Sequence, residues 1–269
     1  MDIGLTDVHV LVTGANGGIG LETVSQYLSA GACVTAHYRS SDGELKSLQE
    51  KYPSTRLQTT KADLTKEEDV MRMFSDALMA FGVVQVVVVN HGVWPTTHVP
   101  VREMSLERWN ATILDDLTSP FLVCRAYFKQ LVIASEEKKA QAAIILVGST
   151  AGKYGEAGHA DYAACKSAMM YGLTLSLKNE IVAIAPRGRV NCVAPGWVRT
   201  PMAEDALKDP KVVYQALATT PLKKVAEPCD IALQIVLLSS SVTSGHVTGQ
   251  VIMVEGGMEG RLLNRPEDL

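Results

Sequence analysis

Val8-His9-Val10-Leu11-Val12-Thr13-Gly14-Ala15-Asn16-Gly17-Gly18-Ile19-Gly20, residues 8–20, is the stretch that decides the fold. Residues 8–13 form an apolar run of strand length and are followed by glycines at 14, 17, 18 and 20. Ile19, Val24, Tyr27 and Leu28 then recur at helical spacing. The order is strand, tight turn, helix. Glycines in such a turn let the backbone approach a pyrophosphate, which rests on the free N–H groups and positive dipole end of the helix. Gly14, Gly18 and Gly20 satisfy one nucleotide-binding spacing and Gly14, Gly17 and Gly20 another, so the turn alone leaves its subtype open.

The same alternation continues along the chain. Strand patterns at 33–38, 57–60, 83–89, 142–147, 190–193 and 251–254 are interleaved with helical ones at 43–51, 66–80, 105–134 and 159–185. That rhythm predicts an α/β fold, a parallel sheet covered by helices on both faces. Val83, Val84, Val86, Val87, Val88 and Val89 are apolar on both sides of the pleat, as in a central strand. Residues 136–139 read as a solvated helix end. No repeat or linker divides the chain, which predicts one domain over 1–269.

Composition narrows the function. Apolar residues make up 47% and charged residues 20%, as in globular proteins rather than disordered ones. Lys and Arg number 25 against 29 Asp and Glu, for a net charge of −4, and no basic stripe marks a nucleic-acid partner. The five cysteines are odd in number and scattered, encoding neither a disulfide framework nor a metal site. No basic n-region or apolar run of roughly 18 residues is present, so the expectation is a cytoplasmic protein with no membrane partner.

Tyr162 and Lys166, four residues apart in a helical segment, leave the same face of the helix. An ammonium about 5 Å from a phenol oxygen, at an effective dielectric of about 20, is worth roughly 3 kcal/mol, enough to pull a tyrosine pKa down by around two units. Ser149 follows the strand at 142–147, at the carboxyl edge of the sheet where an α/β site lies. Val147 stands where a Gly-x-Ser-x-Gly nucleophile elbow would need its first glycine, which excludes that motif.

With these residues in view the chain resembles the classical short-chain dehydrogenase/reductases over essentially its full length. The motifs are Thr13, Gly14, Gly18 and Gly20; Asn90, His91 and Gly92; Ser149; Tyr162 and Lys166; Pro195, Gly196 and Thr200; and Glu255, Gly256 and Gly257. The chain length selects the classical glycine spacing over that of the longer extended subfamily. The resemblance implies a single-domain Rossmann-type doubly wound sheet of about seven strands, and a homo-oligomer, most simply a tetramer. Its helix-pairing surface would fall on 105–134 and 159–185, with Ala163, Ala164, Ser167, Met170, Gly172 and Leu177 as small or apolar contact candidates. Ser149, Tyr162 and Lys166 would be catalytic, with Tyr162 as the acid/base. Among 3-oxoacyl-carrier-protein reductase-like members, an asparagine occupies the frame held here by Asp116, Leu117, Pro120 and Phe121. Asp116 thus takes a place in the proton relay with a group that only accepts when ionised, and its charge would raise the Lys166 pKa.

The cofactor is expected to be NADP(H). The strand at 33–38 is followed by Arg39 and Ser40, with no acid before Asp42, and a guanidinium suits a 2′-phosphate where a carboxylate would take a free ribose. The resemblance adds Asn16, Ile19, Asp63, Leu64 and Val198, together with the motif residues above, Tyr162 and Lys166 among them, to the cofactor set. His91, Trp94, Tyr154, Glu156, His159, Trp197 and Met202 flank the motifs and are expected to wall the pocket for a small carbonyl or alcohol substrate, under a lid at 196–221. The reading that follows is an NADPH-dependent reduction of a ketone. Its alternatives are a silent nucleotide-binding scaffold or an NAD-dependent alcohol dehydrogenase running oxidatively.

Overall fold

Seven parallel strands make the centre of the molecule: β1 His9–Val12, β2 Cys33–Tyr38, β3 Leu57–Lys61, β4 Val86–Val89, β5 Ala143–Val147, β6 Arg189–Pro195 and β7 Val251–Val254. This computed structural model describes residues 2–260; residue 1 and residues 261–269 of the predicted domain lie outside the described residues. The strand order is β3-β2-β1-β4-β5-β6-β7. The chain winds one way through β2 and β3, then returns to place β4 beside β1 with Val10 opposite Val86. Connections leave β1 and β4 in opposite directions, which opens a crevice at the carboxyl ends of the strands.

The helices are α1 Gly18–Ser29, α2 Leu45–Lys51, α3 Glu67–Phe81, α4 Leu106–Ile113, α5 Ser119–Leu131, α6 Glu136–Lys139, α7 Thr150–Tyr154, α8 Ala160–Ser167, α9 Thr174–Ile184, α10 Pro210–Leu217 and α11 Pro228–Ser239. They cover both faces, and the valine-only strand β4 shows why it must be apolar throughout. Its alternate residues point to opposite layers. Val86 and Val88 join a core with Tyr27, Leu28 and Ile235, whereas Val87 and Val89 join one with Met73, Tyr127 and Ile181.

Several predicted elements differ in extent. The strand at 83–89 begins only at Val86, upstream of which the Val84 N–H donates to the Gln130 side chain at 2.9 Å. The strand at 190–193 is longer, because buried Arg189 donates to the carbonyls of Leu238, Ser239 and Ser244 and so starts β6 with a charge. The long helices at 105–134 and 159–185 are each interrupted by a π turn, at Leu114–Thr118 and Ala168–Leu173. A π turn takes in an extra residue and rotates the side chains within it. Residues 136–139 form the separate short helix α6, capped by Ser135, rather than the end of a longer one. Met170 and Leu177, expected at a subunit contact, are core residues buried under the sheet. Among the described residues no helix is long and apolar enough to cross a membrane.

Candidate active site

A cleft of about 410 Å³ opens at the carboxyl ends of the strands. Its floor is the glycine turn, and the local geometry explains the residue choice. Gly14 has φ +61°, and a Cβ there would stand 2.9 Å from His91 Cα. A Cβ on Gly18 would stand 2.8 Å from Thr200 Cγ2, and one on Gly20 would meet the Gly14 carbonyl. The backbone therefore lies open to the cleft. Gly17 caps α1 without any side-chain bond and no acidic side chain occupies its first turn, so the helix presents an uncompensated positive end. Asn90 ties β4 to this turn by donating to the carbonyls of Thr13 and Gly14 at 3.1 and 3.0 Å, and Asn16 donates to the Ser41 carbonyl at 2.8 Å.

Ser149, at the end of β5, caps α7 by accepting the Ala151 N–H at 3.1 Å and hydrogen-bonds the Tyr162 side chain. Tyr162 and Lys166 rise from one face of α8, with Lys166 Nζ 5.5 Å from the Tyr162 ring centroid and donating to the Val147 carbonyl at 3.3 Å. Asp116 lies behind the cleft wall, fully buried. Its Oδ1 accepts the Val93 N–H at 2.8 Å, while Oδ2 has no hydrogen-bond partner among the described residues. A Cβ on Gly92 would lie 2.7 Å from Asp116 Oδ1 and 3.1 Å from Lys166 Nζ. Both charged ends thus reach the same point of backbone, and only glycine leaves them room.

Burial dominates the electrostatics. It pushes the Asp116 carboxyl up to about 6, against the pull of Lys166 and the Val93 N–H. It also raises the Tyr162 phenol above its usual value; Lys166 and the Ser149 hydrogen bond counter this only in part, and Asp116 and Glu156 add to the rise. The ammonium was expected to pull the phenol down, and desolvation outweighs it. Burial presses Lys166 toward the neutral form, but attraction to the ionised forms of Tyr162 and Asp116 more than compensates, so its pKa stands above the ordinary lysine value.

The cleft brings together most residues expected from the sequence. Gly14, Asn16, Gly18, Ile19, Gly20, Arg39, Ser40, Asp63, Leu64, Asn90, Gly92, Ser149, Tyr162, Lys166, Pro195, Gly196, Val198 and Thr200 all line it, as do His91, Trp94, Glu156, Trp197 and Met202. Two expected wall residues do not. Tyr154 turns away and donates its hydroxyl to the Met258 carbonyl at 2.6 Å, and His159 is buried behind Trp94, stacked on it at 4.9 Å. His91 lines the cleft with both ring nitrogens engaged, Nδ1 with Thr13 Oγ1 and Nε2 with Ser119 Oγ, each at 2.8 Å. Burial, with the fields of His37, Lys166 and Arg39, holds it well below the usual histidine range, so it is a neutral strut.

Sequence reasoning missed Asp115, which lines the cleft and accepts from Arg39 at 3.1 Å. A hydrophobic period cannot reveal a side chain whose direction is set by a π turn. It also missed His37, whose Nδ1 accepts the Gly14 N–H at 3.1 Å from within β2.

Comparison with known proteins agrees with this geometry. Residues 14–259 match the family model described as Enoyl-(Acyl carrier protein) reductase. An acetoacetyl-CoA reductase of Acinetobacter sp. (strain RA3849) is 32% identical over 253 residues, 92% of this chain and 96% of that protein. The 3-oxoacyl-(acyl-carrier-protein) reductase FabG of Thermotoga maritima is 33% identical over 255 residues, again 92% and 96%. A crystal structure of a short-chain dehydrogenase/reductase, SDR:Glucose/ribitol dehydrogenase, from Brucella melitensis superposes with a TM-score of 0.85 at 30% identity, covering 96% of this chain and 99% of that one. The fold and cleft define an NAD(P)-dependent oxidoreductase. The chain belongs to the short-chain dehydrogenase/reductase family.

Proposed function

We propose that the protein is a cytoplasmic NADPH-dependent reductase that converts a ketone to an alcohol. The observation that carries this reading is the convergence of Ser149, Tyr162 and Lys166 on the cleft whose floor is the open glycine turn. The residues fit a dinucleotide. The N-terminus of α1, free of side-chain caps, would take the pyrophosphate, and Asp63 and Leu64 would flank the adenine. Arg39 and Ser40 would receive the 2′-phosphate, and Asn90, Gly92, Pro195, Gly196, Val198 and Thr200 would line the nicotinamide end. When bound, the cofactor supplies a hydride to the carbonyl carbon.

The chain's own groups handle the oxygen. Ser149 donates a hydrogen bond to it, polarising the bond before reaction and stabilising the charge that develops. Tyr162, held as a phenol by burial, is in the form that gives up a proton, and the raised Lys166 keeps its ammonium beside the phenolate that results. Asp116 is too far from Lys166 to pair directly. Asp116 Oδ1 and the Lys166 ammonium both border Gly92, and the unpartnered Oδ2 is an acceptor that a bridging water would take, the place for a relay that returns a proton to Tyr162. Residues 196–221 would act as a lid, since Pro201, Met202 and Ala203 already line the cleft.

NADPH consumption followed by absorbance with a panel of ketones tests the reading. Turnover is expected with at least one of them, and Tyr162→Phe should lower kcat at least about 100-fold with NADPH affinity retained. A variant that keeps more than about a tenth of the activity would remove Tyr162 from this role. Cofactor binding without turnover of any ketone would favour the scaffold alternative.

A further inference from the structure

Away from the cleft, a buried ion pair joins the two helical segments that carry its chemistry. Arg108 lies on α4 with its side chain 18% exposed, and Asp161 lies in the first turn of α8, one residue before Tyr162, with its side chain fully buried. Arg108 uses every arm of its guanidinium. Nε donates to Asp161 Oδ2 at 2.9 Å, Nη1 to the Thr97 carbonyl at 2.7 Å and Nη2 to the Gly158 carbonyl at 3.3 Å. Thr112, one turn further along α4, donates to the same Asp161 oxygen at 2.9 Å. Burial pushes the Asp161 carboxyl up, but Arg108, Thr112 and the Tyr162 backbone N–H outweigh it and hold the group below its ordinary carboxylate value. The pair is therefore charged on both sides.

None of Arg108, Thr112 and Asp161 lines the cleft. A buried ion pair returns little net stability for its desolvation, and its best-attested use is to fix one packing register. The chain around this pair is built to transmit a register. Helix α4 runs directly into the π turn Leu114–Thr118, so Arg108, Thr112 and Asp116 follow one another at intervals of four, while Asp161 and Cys165 stand at the same interval on α8 with Lys166 next in line. The two rows meet as rungs. Arg108 bonds Asp161; Thr112 bonds Asp161 and, through its carbonyl, accepts the Cys165 thiol at 3.7 Å; Asp116 and Lys166 come together at Gly92. The start of α8 has little else to hold it, because its capping residue His159 makes no side-chain cap bond. A tilt at the first rung is thus carried to the last, where Tyr162, Lys166 and Asp116 must meet.

We propose that Arg108 and Asp161 are positioning residues, which set the register of α4 on α8 and through it the place of the Tyr162 phenol and of Asp116 against Lys166. The assignment rests on the ketone-reductase reading and adds to it a pair that touches neither substrate nor cofactor. Misplacing a reacting group by about 1 Å can cost on the order of 100-fold in rate. The glycine turn that would hold the pyrophosphate belongs to β1 and α1, which this pair does not touch, so its loss falls on kcat and spares cofactor affinity.

Separating stability from rate tests the proposal, with Tm, NADPH Kd and kcat for a ketone measured on each variant. Arg108→Met leaves Asp161 buried without its counter-charge, so Tm should fall and kcat should drop at least about tenfold, with the NADPH Kd within about twofold of the wild type. In Arg108→Met/Asp161→Val both charges are gone, and Thr112 keeps the carbonyl of residue 108 as an acceptor at 3.1 Å. Tm should return close to the wild-type value while kcat stays down at least about tenfold, a split that a merely stabilising ion pair does not produce. Recovery of kcat together with Tm, or a kcat within about twofold of the wild type in Arg108→Met, would overturn the proposal. Thr112 gives a second test that keeps both charges in place. Thr112→Val should lower kcat several-fold and Thr112→Ser, which retains the hydroxyl, should hold it near wild type; equal kcat in the two would overturn the proposal whether or not the charge variants fold. A wild type that turns over no ketone would retire the reductase reading alone. The register is then read from amide exchange over 158–166: a faster rate in the double variant with α1 unchanged supports it, and an unchanged rate removes it.

Discussion

Arg39 is 58% exposed at the side chain, so its ion pair with Asp115 is screened by water and worth at most about 1 kcal/mol. Charge-assisted hydrogen bonds to a phosphate are worth roughly 1.5–3 kcal/mol each, so a 2′-phosphate would outcompete Asp115 for the guanidinium. Two opposite outcomes follow for ratios of kcat/KM with NADPH and NADH. Arg39→Asp should move preference toward NADH by at least tenfold. Asp115→Asn, which frees the guanidinium, should raise NADPH preference by a few-fold. An Arg39→Asp enzyme with an unchanged ratio would show that the 2′-phosphate is read elsewhere. Asp116 makes a different prediction. A carboxyl whose pKa is about 6 when folded against 3.8 as a free group binds the extra proton in the folded state, so stability falls as pH rises through that window. The cost above it is roughly 3 kcal/mol. Asp116→Asn keeps the acceptor for the Val93 N–H and removes the charge. Its Tm gain over the wild type should therefore be larger near pH 8 than near pH 4. Because Asp116 also raises Tyr162, the basic limb of the kcat/KM profile should move to lower pH, by on the order of one unit. Superimposable profiles and equal Tm differences at both pH values would show that the carboxylate is not ionised in the wild type.

Elements were readable from sequence where one force dominated. The glycine turn could be recognised because Gly14, Gly18 and Gly20 answer steric demands that no other residue meets, and β4 because a strand buried on both faces must be apolar throughout. The π turns at Leu114–Thr118 and Ala168–Leu173 were not, since one additional residue in a turn leaves the surrounding apolar pattern nearly unchanged. That is why Asp116 could be placed by its frame while Asp115 and its contact with Arg39 could not. The substrate wall was foreseen except at Tyr154 and His159: flanking a motif puts a residue near the cleft, but tertiary packing decided that Trp94 faces it and His159 backs it. The segment 201–221, expected as part of the lid, consists of turns, a 3-10 turn at Ala206–Lys208 and the short helix α10. Of α10 only Ala216 is buried, and Tyr214 is 60% exposed. Its downstream end is held by Leu222 N–H donating to the Gly256 carbonyl at 3.1 Å and by Thr219 donating to Gly260 at 2.6 Å. Upstream, the Arg199 N–H donates to the Ala226 carbonyl at 2.9 Å, so the segment is tied at its flanks but lightly packed between them, and such an element opens at low free energy. Amide exchange should be faster over 201–217 than in α1, and slower on addition of NADPH and a ketone. Protection equal to that of α1 without any ligand would rule out a lid.

At the scale of the whole molecule, the described residues leave two apolar faces uncovered. On one, α4, the following π turn and α5 expose Leu106, Leu114 and Phe121 at 72%, 42% and 44%, and the neighbouring π turn and α9 expose Tyr171, Leu175 and Val182 at 46%, 39% and 44%. Gly172 lies on this face with open space where a Cβ would be, so another backbone can approach closely. On the other, the sheet ends in β7, whose four residues are only half-buried, and α11 exposes Leu233 and Leu237 at 46% and 38%. Contiguous apolar surface of this extent marks association, and an open edge strand invites pairing with its own copy. Each face would meet itself across a two-fold axis, and two such axes would generate a closed tetramer. Light scattering at micromolar concentration is expected to give four chains. Phe121→Arg should break the first contact and Leu233→Arg the second, each leaving a dimer. Both substitutions together should leave monomers that retain far-ultraviolet circular dichroism, because neither side chain belongs to the core. A wild-type monomer would refute the arrangement. A tetramer unaffected by either substitution would show that the copies meet on other surfaces.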